Sequence, residues 1–205
     1  MQYAGVSLQD SGKGVFSERV GPARGDTGCM SAIPQSVRIS VEEYLATSYR
    51  PDCDYIDGEI EERNLGEKEH SILQQALVFL FRLNRDTWSV EVFPELRVQV
   101  KPTRYRVPDI TVVPTGVSWE RILRKAALLF VEILSPEDRL SKVRERVDDY
   151  LSLGTEHVWI VDPELRKGYV CSRRGFQEPE GGVLEIPGTP IRVVLSELFA
   201  ELDRA

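Results

Sequence analysis

Two carboxylates sit inside apolar runs of this 205-residue chain: Asp109 in Val107-Pro108-Asp109-Ile110-Thr111-Val112-Val113, and Glu132 in Ala127-Leu128-Leu129-Phe130-Val131-Glu132-Ile133-Leu134. β-Branched and aromatic residues dominate both runs, and each is about as long as a buried strand. On the second, Phe130, Glu132 and Leu134 share one face while Leu129, Val131 and Ile133 share the other, so Glu132 is flanked by apolar side chains on every side. A buried, unpaired charge is costly, so such a carboxylate calls for a basic partner or a bound metal ion. Basic candidates follow directly. From Asp138 to Tyr150 the helical spacing puts Leu140, Val143, Val147 and Leu151 on an apolar stripe, with Lys142, Arg146 and Tyr150 on an adjacent stripe at spacing four.

Composition sets the frame for that chemistry. Hydrophobic content of 41% and charged content of 29% are those of an ordinary globular chain, and 205 residues suit one sizeable core. Cys29, Cys53 and Cys171 lack metal-ligand spacing and read as thiols in a reducing cytoplasm, which argues against a zinc site. Apolar runs fall far short of the roughly 20 residues a membrane span requires, and no signal peptide opens the chain, so a cytoplasmic protein is expected. The net charge of −7 is unevenly spread: residues 101–146 carry a net +4, residues 1–35 cancel, and the remainder carries −11. The one cationic segment therefore contains both buried-looking carboxylates.

The remaining elements must hold these residues in place. Residues 1–35 contain six glycines and no apolar face, which predicts a disordered extension; Met30 just precedes the first patterned sequence. Residues 36–205 then read as a single domain. Ser40-Val41-Glu42-Glu43 has capping-box spacing and predicts a short helix to about Ala46. Asp57-Gly58 predicts a hairpin turn, with Glu59, Glu61 and Glu62 on the second arm, read as edge charges of which one is able to reach a site. From Glu67 to about Arg85, apolar residues recur at three and four, and His70 lies at the N-terminal end of that core helix, where a structural role competes with a catalytic one. Trp88–Phe93 and Leu96–Lys101 alternate like antiparallel strands around Pro94-Glu95. Asp138 is placed to cap the next helix and Gly154 to end it, and His157–Asp162 is another apolar strand, giving a parallel strand-helix-strand crossover. Short strands follow from Gly168 to Ile186, and a closing helix from Leu195 to Leu202.

The order of these pieces resembles the PD-(D/E)XK nuclease superfamily and, within it, the family designated putative restriction endonucleases. The matching residues are Gly58-Glu59, His70, Pro108-Asp109, Val131-Glu132-Ile133-Leu134-Ser135-Pro136, the basic helix to Tyr150, and Val158-Trp159-Ile160-Val161-Asp162-Pro163, spanning about residues 40–165. The resemblance implies an α/β (α+β) restriction-endonuclease-like fold, a mixed central sheet flanked by helices. It also implies Mg²⁺ (or Mn²⁺)-dependent hydrolysis of DNA phosphodiester bonds, with Asp109 and Glu132 as metal ligands, Glu59 or Glu62 as an added outer ligand, and a possible homodimer. Hard oxygen ligands in small number suit Mg²⁺, which keeps several waters and bridges phosphates.

One departure bears on catalysis. The superfamily motif carries Lys two residues after the Glu, where this chain has Leu134; the family is expected to carry it on the following helix, four residues before Tyr150, where this chain has Arg146. Arginine stays charged and cannot accept a proton from water, though it can hold a phosphate with two donors. Lys142, one turn earlier, is the alternative. Three readings follow: a metal-dependent nuclease, a nuclease fold that binds DNA or protein with little or no cutting, and carboxylates neutralised by Arg104, Arg106 or Arg146 with no metal.

Overall fold

The computed structural model describes residues 38–50, 52–63 and 67–204; the segment 1–35 and Met30 lie outside them. Ser40 caps α1 (Val41–Ala46), its hydroxyl accepting the Glu43 amide at 3.1 Å. Asp57 and Gly58 take φ of 50° and 104°, as a two-residue type I′ turn requires, and β1 (Cys53–Ile56) folds back on β2 (Glu59–Glu62). Helix α2 (Lys68–Leu83) buries Leu73, Leu77 and Phe81, and a single turn, α3 (Arg85–Trp88), follows.

The next two strands, β3 (Val90–Pro94) and β4 (Val98–Lys101), do not form the antiparallel pair their alternation suggests. β4 pairs with β5 (Arg104–Arg106), whereas β3 pairs with β6 (Ile110–Pro114). At the corner Glu95 takes φ of 50°, and its amide donates to the Asp109 carbonyl at 3.2 Å. The chain thus leaves one sheet and enters another at the point where a reversal was expected. Alternation identifies a half-buried strand but not its partner.

β7 (Leu129–Ile133) lies antiparallel to β6, and α4 (Leu140–Leu153) carries the chain to β8 (His157–Asp162), parallel to β7 from Leu129↔His157 to Ile133↔Val161. With β9 (Lys167–Ser172) and β10 (Gly175–Gln177) the order is β10-β9-β8-β7-β6-β3, in which only the β7/β8 pair is parallel. A four-stranded sheet β2-β1-β5-β4 stands beside it, and β11 (Val183–Glu185) with β12 (Arg192–Val194) leads into α5 (Leu195–Arg204). This is the expected mixed sheet flanked by helices. Helices α2 and α5 cover one face, packing Leu77, Phe81 and Phe199 with Val112, Leu129 and Val131. Helix α4 and β4 cover the other, packing Val143 and Val147 with Phe130, Val158 and Ile160. No helix among the described residues is long and apolar enough to cross a membrane.

Gly154, at φ of 102°, ends α4 as its position suggests. Asp138 does not cap that helix. Arg139 occupies the N-cap position without a side-chain bond, while Asp138 Oδ2 accepts the Ser135 amide at 2.9 Å and Oδ1 accepts from Arg146. The turn after β7 and the second turn of α4 thus take one oxygen each of this carboxylate.

Candidate active site

The antiparallel register of β6 and β7 ends with Ile110 opposite Val131, and its continuation by one step would set Asp109, the residue before β6, against Glu132. Both are buried, 2% and 3% exposed. They face a cleft of about 270 Å³ that Arg63, His70, Lys142 and Arg146 also line. Two adjacent strands therefore deliver one carboxylate each to the same point.

Every carboxylate oxygen there has a protein partner. Asp109 Oδ2 accepts the Ile133 amide at 2.7 Å and lies 3.2 Å from His70 Nε2, while Oδ1 accepts from the Arg63 guanidinium. Gln74, one turn beyond His70 on α2, donates to the Asp109 carbonyl at 3.1 Å, so the first turns of α2 grip both ends of this residue. Glu132 Oε1 accepts the Tyr150 hydroxyl, and Oε2 lies 3.0 Å from Arg146 Nε. That nitrogen has no aligned hydrogen bond, so the contact is electrostatic; Arg146 is oriented instead by Nη2, which donates to Asp138 at 2.9 Å.

The electrostatics follow from this crowding. Burial pushes Glu132 up to about 7, opposed by Arg146 and reinforced by the charge of Asp109. Burial acts in the same sense on Asp109, but the His70 hydrogen bond and the Arg63 charge outweigh it and hold that carboxyl below its usual range. His70 responds reciprocally: burial disfavours the imidazolium, yet its bond to Asp109 leaves it raised. Tyr150 is pushed well above its ordinary value by burial and by the carboxylate it serves, so it acts as a donor. The pair thus holds one firmly ionised acid and one that titrates near neutrality.

The other sequence candidates fall at different distances. Arg146 meets Glu132, and His70 meets Asp109. Lys142 Nζ pairs with Glu61 at 3.0 Å and Glu145 at 3.4 Å, half-exposed at the cleft rim. Glu62 lines the cleft, whereas Glu59, at the turn end of β2 opposite Ile56, is outside its lining. Arg104 and Arg106 serve other acids: Arg104 bonds Asp57 at 2.7 Å, and Arg106 bridges Asp54 at 2.9 Å and Asp149 at 2.8 Å. Two groups at the carboxylates were missed as site residues. Tyr150 was visible at spacing four from Arg146, but Arg63 follows a row of acids at a strand end and carries no periodic signal.

The donor chemistry fits a hard divalent ion. Mg²⁺ takes one or two carboxylates and completes its shell with waters and phosphate oxygens, and Asp109 and Glu132 supply two. Among the described residues no group of three or more His, Cys, Asp or Glu is arranged to hold an ion by itself, so water or substrate oxygens are needed for the rest.

Comparison with known proteins agrees with this architecture. The family model Uma2, described as putative restriction endonuclease, matches residues 41–200. A crystal structure of a putative nuclease belonging to DUF820 from Anabaena variabilis superimposes with a TM-score of 0.69 at 23% identity, covering 80% of this chain and 99% of that one. Among curated proteins none matches.

Proposed function

Since this chain belongs to the putative restriction endonuclease family, we propose that it hydrolyses phosphodiester bonds in DNA in the cytoplasm, with Asp109 and Glu132 holding Mg²⁺ or Mn²⁺. The observation that carries the reading is the opposition of two buried carboxylates at the floor of a cleft whose walls supply cations. A divalent cation supplies, when bound, the Lewis acidity that phosphodiester hydrolysis requires. The chain's own residues orient and compensate. The Ile133 amide and His70 fix Asp109, and Tyr150 fixes Glu132. Arg146, steered by Asp138, presents a buried Nε–H without an aligned acceptor, a donor suited to a phosphate oxygen. Arginine cannot serve as a base, so its part is to hold charge as it develops.

A second reading is favoured by two features. Both carboxylates are already neutralised by Arg63 and Arg146, and Leu134 stands where the superfamily carries Lys. A nuclease fold that binds DNA with little cutting would look the same. Mg²⁺ titration followed by melting temperature, combined with cleavage of mixed DNA substrates, separates the two. An ion that binds only the folded chain raises its melting temperature, and Asp109→Asn and Glu132→Gln are each expected to remove that rise. Cleavage is expected to fall about 10²–10³-fold in Arg146→Ala, to persist in Arg146→Lys, and to change little in Lys142→Ala, whose ammonium is held by Glu61. Cleavage lost in Lys142→Ala but intact in Arg146→Ala would move the electrostatic role to Lys142; ion binding without any cleavage would establish the second reading.

A further inference from the structure

We infer that Arg63 is a competitor for the divalent ion in the free protein and a phosphate ligand in the loaded one, so that ion and DNA bind cooperatively. The inference rests on the metal site proposed for Asp109 and Glu132. Asp109 Oδ2 is filled by the Ile133 amide at 2.7 Å and by His70 at 3.2 Å, both from ordered elements. Oδ1 is the oxygen left for an ion, and the Arg63 guanidinium covers it.

The cations of this cleft differ in how firmly they are held. Arg146 lies 2.9 Å from Asp138 and 3.0 Å from Glu132, and Lys142 lies between Glu61 and Glu145. Each keeps one acid if it loses the other. Arg63 has Asp109 as its close partner and reaches Glu95 only at 3.8 Å, where that glutamate side chain is 57% exposed. A salt bridge this open contributes little in water. An ion on Oδ1 would therefore release Arg63 rather than share the oxygen with it, because two cations on one oxygen repel. The released guanidinium, 20% exposed at the cleft wall, has the forked geometry that matches a phosphate. The converse holds with equal force. A DNA phosphate that takes Arg63 away uncovers Oδ1, and the coupling between the two ligands must be reciprocal.

The test uses the full chain and two probes: Mg²⁺ alone by calorimetry, and a fluorescent phosphorothioate DNA duplex, whose linkages resist hydrolysis, by anisotropy with and without saturating Mg²⁺. In Arg63→Gln the competitor is gone, so Mg²⁺ alone is expected to bind more tightly than to wild type by roughly 5–150-fold, the usual span of such coupling. The same variant is expected to lose most of the gain in duplex affinity that Mg²⁺ gives wild type. Arg63→Lys, which keeps a charge but not the fork, is expected to bind Mg²⁺ near the wild-type level while losing part of that gain, and it carries the comparison if Arg63→Gln does not fold. Equal Mg²⁺ affinity in wild type and Arg63→Gln, or an unchanged gain in duplex affinity, overturns the role of Arg63 and leaves the metal site standing. Failure of both proteins to bind Mg²⁺ overturns the site and this inference with it.

Discussion

Glu132 is the residue whose environment says most about the cleft. Burial pushes its pKa up to about 7 in the ion-free protein, well above the value of an unfolded glutamate. Between roughly pH 4.5 and 7 the folded chain therefore binds more protons here than the unfolded one, and the Glu132 contribution to stability falls as pH rises through that window. The magnitude is on the order of a few kcal/mol. Asp109 acts in the opposite sense: its lowered pKa gives stability that is present above the unfolded value and is lost as acid protonates it. Thermal melts of wild type and Glu132→Gln without divalent ions isolate the first effect. The variant is expected to gain on wild type from about pH 4.5 to 7 and to keep a constant offset above. A constant offset across the whole range would mean that Glu132 ionises normally and the cleft is wetter than its burial implies. Both carboxylates were conspicuous in the sequence because each interrupts a run of strand-forming apolar residues. Arg146 was equally readable, since helix spacing fixes where its side chain emerges. Arg63 was not, because a charge after a strand end has no period, and its meeting with Asp109, forty-six residues away, is made by the tertiary fold alone.

At the scale of elements, the site depends on how the four-stranded sheet is fastened to α4. Arg106, on β5 and 1% exposed, donates to Asp54 on β1 at 2.9 Å and to Asp149 on α4 through Nε at 2.9 Å and Nη2 at 2.8 Å. Lys101 and Arg104 reach the same Asp149, at 2.6 Å and 3.4 Å. The next residue on α4 is Tyr150, so this ion network sets the helix that also presents Tyr150 and Arg146 to Glu132. Removing one member of a buried charge set strands the others, typically at about 3–5 kcal/mol. Arg106→Met, which keeps the length of the stem, is expected to destabilise the chain by about that much in urea unfolding, and a loss below about 1 kcal/mol would show that the network is bystander rather than fastener. The hairpin, the core helix and the crossover from β7 to β8 were legible because each has its own local signal: a turn dipeptide, a period of 3.6, an apolar strand on either side of an amphipathic helix. The division of the strands between two sheets was not. β3 and β4 have the same alternation, and they separate because β3 pairs at long range with β6 while β4 turns back on its sequence neighbour β5, a choice that alternation does not encode.

For the molecule as a whole, charge constrains how the proposed DNA substrate could be held. The chain carries −7, and the cleft contains more acids than bases: Arg63, Arg139, Lys142 and Arg146 face Asp54, Glu61, Glu62, Asp109, Glu132, Glu137 and Asp138. A duplex entering such a surface cannot rely on a broad basic footprint, so few phosphates are neutralised and an added divalent ion matters disproportionately. Counterion release translates this into a measurable slope. Each neutralised phosphate contributes about −0.9 to the dependence of log K on log salt, so even full use of the four cleft cations gives a slope no steeper than about −4. Anisotropy of a labelled duplex measured across salt concentrations without divalent ion is expected to stay within that limit, with weak affinity at low salt, and saturating Mg²⁺ is expected to strengthen binding at every salt concentration. A slope twice as steep would require a basic surface outside the cleft, and it would separate the recognition of DNA from the carboxylate pair on which the proposed chemistry depends.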